Sequence, residues 1–207
     1  GKSHMLILGH AGITLGAAIL LDTVVARGYS IKTRQNGAKN YPAAGNASWL
    51  ISLRNYVDIR LLLLASLFPD IIDKPLGLVF LKDTFNNGRI FCHTLAFTLL
   101  ITLAGFYICR RHGKTWLLTL AFGSFTHLLF DKMWLEPQTL FWPLYGFTFH
   151  RGVPNSWISD NLVQLRLDPG TYFPEIAGAV ILVGLVVVLI RRKAIGAFIR
   201  SGKLSNS

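Results

Sequence analysis

Apolar residues in this chain run in long stretches broken by short polar segments, and they do not fall on a single helical stripe. That is the pattern of helices solvated by lipid. Four stretches read as full membrane spans: Leu6 to Ala26, Ile90 to Cys109, Thr115 to Trp134 and Ile176 to Ile190. A fifth, Asp58 to Phe68, is too short for a hydrocarbon core of ~30 Å and drives into Pro69-Asp70-Ile-Ile-Asp73. It should stop within the bilayer or tilt into a cavity, followed by a short apolar piece from Leu76 to Leu81. Residues 27–54 mix Arg and Lys with Gly, Asn, Ser and Pro and read as a polar connection. Residues 135–174, with Trp142-Pro-Leu-Tyr-Gly146 and Trp157, read as an aromatic belt at headgroup level.

The expected fold is all-α, a polytopic membrane helical bundle of four full spans plus one short or re-entrant helix. Residues 5–193 form a single membrane-embedded domain, residues 1–4 are a tag remnant and residues 194–207 a cytoplasmic tail. A composition of 52% apolar residues exceeds what one soluble core requires. The formal charge of +11 does not change this picture, because the cations sit in short clusters between apolar runs rather than along one soluble face. That distribution implies a lipid bilayer as partner and no nucleic acid.

The same clusters orient the chain. Arg27, Lys32, Arg34, Lys39, Arg54 and Arg60 fall on one side with Arg110, Arg111, Lys114, Arg191, Arg192, Lys193, Arg200 and Lys203, opposed there only by Asp22 and Asp58. The positive-inside rule makes that side cytoplasmic, with the C-terminus inside and the N-terminus outside, in the cytoplasmic (inner) membrane. Cys92 and Cys109, seventeen residues apart on one expected helix, are about 25 Å apart and cannot bridge.

Ionisable groups within apolar runs are costly and usually functional. His127 and Asp131 lie one helical turn apart on one face. With that topology His10, Asp70, Asp73 and His93 come to the same outer depth, giving a mixed imidazole and carboxylate set able to hold a divalent ion. Zn²⁺ suits such ligands best, as one or two ions, with Mn²⁺, Fe²⁺ or Mg²⁺ admitted as the oxygen share rises.

The order Gly9-His10, Phe68-Pro69-Asp70 with Asp73, His93-Thr94, and Thr126-His127 with Asp131, followed by Trp142-Pro143, resembles the YdjM-like membrane-bound metal-dependent hydrolases described as LexA-binding and inner-membrane-associated. The resemblance spans residues 5 to about 193. The chain departs from that family's Pro-Asp-x-Asp-His and His-Arg-Gly-x-Thr-His-Ser patterns: its second acid is one residue later, Lys74 stands where His is expected, and Arg89-Ile-Phe-Cys-His93 replaces the His-Arg-Gly segment. More distantly, the ligand order is similar to the zinc-dependent phospholipase C and nuclease P1 group. That likeness implies His93 and His127 on one ion, His10 on a second, Asp131 bridging and Glu175 as a substitute for a missing ligand.

These resemblances, with the headgroup depth of the residues, imply a phosphoesterase acting on a membrane lipid. Asp70 or Asp73 would be the general base, and Arg89, or less favourably Lys74 or Arg151, would neutralise phosphate. Asn86 and Asn87 read as turn residues. A metal-ion transporter and a non-catalytic membrane regulator tied together by metal are the alternatives. Oligomeric state and soluble partners have no sequence signal.

Overall fold

The computed structural model of the chain describes residues 5–35, 58–151, 163 and 165–202. Every regular element among them is helical. The elements are α1 (Ile7–Gln35), α2 (Ile59–Ala65), α3 (Phe68–Pro75) continued by a π-helical turn (Leu76–Phe80), α4 (Leu95–His112), α5 (Trp116–Phe130), a 3-10 turn (Met133–Leu135), α6 (Pro137–Leu140), α7 (Pro169–Arg191) and α8 (Ile195–Ser201).

Several boundaries differ from the expectation, for local reasons. α1 runs past Ala26 to Gln35 because no proline interrupts it, so the start of the expected polar connection is helix; the rest of that connection lies outside the described residues, as does Trp157. α4 begins at Leu95, where the Thr94 hydroxyl caps it by accepting the Phe97 N–H, so His93 precedes the helix instead of lying in its first turn. α7 begins seven residues early at Pro169, capped by the Asp168 carboxylate, and continues through Pro174.

Helix length and apolar composition together bear out one of the four expected full spans and leave the others unconfirmed. Among the described residues only α7, 23 residues long, is both long and apolar enough to cross a membrane. The apolar part of α1 (Ile7–Leu21) and α5 (Trp116–Phe130) are shorter, and α4 ends in Arg110, Arg111 and His112.

Small residues set the close crossings. A Cβ on Gly12 would collide with the Gly178 backbone, and one on Gly178 with the Leu8 carbonyl, so α1 and α7 pack backbone to backbone. Gly123 of α5 lies against Ala65 and Ser66, and Gly105 of α4 against Leu118. Leu15, Ala18, Ile59, Leu62, Leu189 and Ala194 form the main apolar core. The expected cytoplasmic tail is helical over Ile195–Ser201 and docks on α2, where Arg60 Nη1 donates to the Ile199 carbonyl at 2.6 Å.

Candidate metal centre

The Gly123 contact decides where His127 points. Gly123 and His127 are four residues apart on α5, hence on one face, and the approach of α2 there brings the Ser66 carbonyl to 2.7 Å from His127 Nδ1. A carbonyl only accepts, so Nδ1 carries the proton and Nε2 faces inward with its lone pair. His93 is oriented in the same manner: its Nδ1–H donates to Asp73 Oδ2 at 2.8 Å. The two Nε2 atoms consequently meet at 3.2 Å, where they hold facing lone pairs or a shared proton.

Asp70 closes the triangle. Its Oδ1 is buried without a hydrogen-bond partner, 3.6 Å from His93 Nε2 and 3.7 Å from His127 Nε2. Its Oδ2 accepts from Lys74 Nζ at 2.6 Å, one turn along α3. Tetrahedral bonds of ~2.0–2.1 Å would separate ligand atoms by about 3.3–3.4 Å, so the spacing of these three atoms fits a divalent ion.

Asp73 has a different place from the one expected. Its carboxylate accepts the backbone N–H groups of Ile90, Cys92 and His93 as well as the His93 ring. It is fully buried and organises the segment before α4; both of its oxygens are engaged.

His10 and Asp131 flank this triangle. The His10 ring stacks on His127, with centroids 4.0 Å apart, and its Nε2 lies 3.1 Å from Asp131 Oδ1. Asp131, the C-cap of α5, is paired through Oδ2 with Arg89 Nη2 at 2.6 Å. His10, His127 and Asp131 form a second group with metal-ligand spacing, but it draws on the same His127 ring as the first. His10, His93 and His127 are fully buried. Every residue of the expected ligand set is thus brought into one cluster.

A family model described as YdjM inner membrane protein matches residues 5–198. The chain belongs to the YdjM family. No curated protein and no solved structure matches it. The YdjM description names a membrane and no reaction, so the hydrolase and phospholipase C likenesses stay at the level of resemblance.

Other residues of this YdjM chain fall away from the cluster or serve it indirectly. Glu175 falls in neither group with metal-ligand spacing: it accepts the N–H groups of Leu6, Leu8 and Gly9, capping the start of α1 one turn before His10. Arg151 donates to the carbonyls of Asp83 and Thr84. Asn87 bridges the Arg89 N–H and the His150 carbonyl, and Asn86 has φ 41°, both in turn roles. Ser66 was missed by sequence reasoning because it acts through its backbone carbonyl, which leaves no signature in residue type. The Asp70–Lys74 pair was legible as an i,i+4 spacing.

Proposed function

We propose that this YdjM protein is a membrane-bound metal-dependent hydrolase, a phosphoesterase acting on a lipid at the outer face of the cytoplasmic membrane. The observation that carries the reading is the inward convergence of His93 Nε2, His127 Nε2 and the unpartnered Asp70 Oδ1. Those residues would hold one divalent ion, with Zn²⁺ the best fit to two nitrogens and one oxygen. Three protein ligands leave a position for water or substrate, as in catalytic rather than structural zinc sites. When bound, the ion supplies a water of lowered pKa and polarises a phosphoryl oxygen.

The residues around it take the remaining parts. Asp73 holds His93 in its tautomer, and the Ser66 carbonyl does the same for His127. Asp73 spends both oxygens on N–H groups, and Asp70 would be taken up by the ion through Oδ1 and by Lys74 through Oδ2. In place of the expected Asp70 or Asp73 we therefore assign the proton acceptor to His10, whose Nδ1 is buried and without a partner when its Nε2–H donates to Asp131. Arg89 holds Asp131 and brings a cation to the cluster.

Membrane placement supports a lipid substrate. Along α7, Ile176, Val180, Val183, Val187 and Ile190 are exposed at 4-3-4-3 spacing, and along α4 Leu99, Leu103 and Phe106 are exposed similarly. Such unpartnered apolar stripes suit a bilayer. We read α1, α4 and α5 as further membrane passes beside α7. The cluster is at the His93 end of α4 and the His127 end of α5, whereas the basic turn Arg110–Lys114 joins their other ends. The positive-inside rule then puts that turn and α8 in the cytoplasm and the cluster outside.

The test is hydrolysis by the full chain in mixed micelles. Phospholipids and isoprenoid phosphates are screened with Zn²⁺ or Mn²⁺, comparing wild type with His127→Ala. Metal-dependent release of phosphate or headgroup by wild type alone is expected. Equal release by the two proteins across the screen would overturn the reading in favour of a transporter or regulator, which flux in sealed vesicles then separates.

A further inference from the structure

We infer that Lys74 fixes Asp70 as a one-oxygen ligand and so sets the preference of the centre for a four-coordinate ion; this rests on the metal reading above. The two carboxylate oxygens of Asp70 live in different surroundings. Oδ2 is held at 2.6 Å by the Lys74 ammonium, and Oδ1 faces the paired imidazoles with no partner. An ammonium is a strong, charge-assisted donor, and here it acts in a partly buried setting, with the Asp70 side chain 15% exposed. Asp70 and Lys74 share one face of α3, so the pair is built into the helix and does not depend on a loop.

The consequence lies in coordination number. A free carboxylate can turn about its terminal torsion and chelate an ion with both oxygens, whereas one whose second oxygen is held offers a single ligand atom. Two imidazole nitrogens, one carboxylate oxygen and one water make a tetrahedral set suited to Zn²⁺ or Co²⁺. A two-oxygen Asp70 raises both the ligand count and the oxygen share, which favours Mn²⁺. Lys74 is therefore a positioning residue: it meets the ion only through Asp70.

The experiment is competitive equilibrium dialysis of purified full chain against Zn²⁺ and Mn²⁺, followed by elemental analysis, with Co²⁺ absorption spectra as a second readout. Wild type, Lys74→Met and Lys74→Arg are compared. The Zn²⁺-over-Mn²⁺ ratio should fall by about tenfold in Lys74→Met, the scale of changes seen when partners of metal ligands are removed. The Co²⁺ bands of that variant should weaken as coordination rises above four. Lys74→Arg should stay close to wild type in both readouts. A wild-type ratio and spectrum in Lys74→Met overturns the inference and leaves the metal centre standing, as does a Lys74→Arg variant displaced as far as Lys74→Met. No uptake by wild type removes the metal reading and this inference together.

Discussion

His93 and His127 face each other across 3.2 Å through their Nε2 atoms, and neither ring is free to turn away. Each is held from behind, His93 by the Asp73 carboxylate and His127 by the Ser66 carbonyl. Two neutral imidazoles in that attitude repel through their lone pairs unless a cation or proton lies between them. Burying both rings fully beside Asp70 is tolerable only with such pairing.

The role of Asp73 predicts a graded loss. Asp73→Asn replaces an acceptor of several N–H groups with an amide having one acceptor oxygen, and it loosens the His93 tautomer. Metal affinity should fall by about 10- to 100-fold and not vanish. Asp70→Ala, which removes Oδ1 itself, should lower affinity further. Isothermal titration with Zn²⁺ orders the two; a larger loss in Asp73→Asn would exchange their roles.

Glu175 predicts the opposite separation of effects. Its carboxylate caps α1 through Leu6, Leu8 and Gly9, so Glu175→Ala should lower stability by about 2–3 kcal/mol. Zn²⁺ bound per folded chain should stay at the wild-type value. Thermal melts in detergent with parallel metal analysis give both quantities, and loss of metal without loss of stability would restore Glu175 as a ligand.

These two carboxylates show how far the sequence could be read. That His10, Asp70, Asp73, His93, His127 and Asp131 gather was legible, since rare ionisable residues in apolar runs shared a depth once the chain was threaded. Their division of labour was not. Whether an Asp oxygen is free depends on which backbone N–H groups the loop at 90–93 presents to it, and residue type does not encode that geometry. All-helical structure followed from the apolar runs, but helix ends were set by Thr94 and Asp168 caps against the hydropathy pattern. The capping role of Glu175 is not legible in residue type, because it is the α1–α7 approach at Gly12 and Gly178 that brings this lone acid to the start of α1.

That approach yields a paired stability prediction. Gly178→Val places side-chain atoms where the Leu8 and Gly9 backbone already lies, and overpacking of this kind costs about 1–3 kcal/mol or more. Gly184, on the same helix, has nothing within 4 Å of an added Cβ, so Gly184→Ala should be neutral or stabilising by up to about 1 kcal/mol. Melting temperatures of the two variants check the crossing; similar values would contradict it.

Orientation predicts which residues an impermeant thiol reagent reaches. In intact cells Leu144→Cys, at a position 83% exposed on the segment after α6, should react from outside. Ser201→Cys, on exposed α8, should react only after the membrane is opened. The reverse pattern would invert the topology and put the cluster on the cytoplasmic face.

Metal content tests the central claim most directly. Full-length protein purified in detergent, loaded with Zn²⁺ and freed of excess, should carry about one ion per chain, because three converging ligand atoms define one open zinc site. His127→Ala, which removes the atom shared by both candidate groups, should carry close to none while keeping its helical content. Wild type at background, or His127→Ala at the wild-type stoichiometry, would contradict a metal centre at His93, His127 and Asp70.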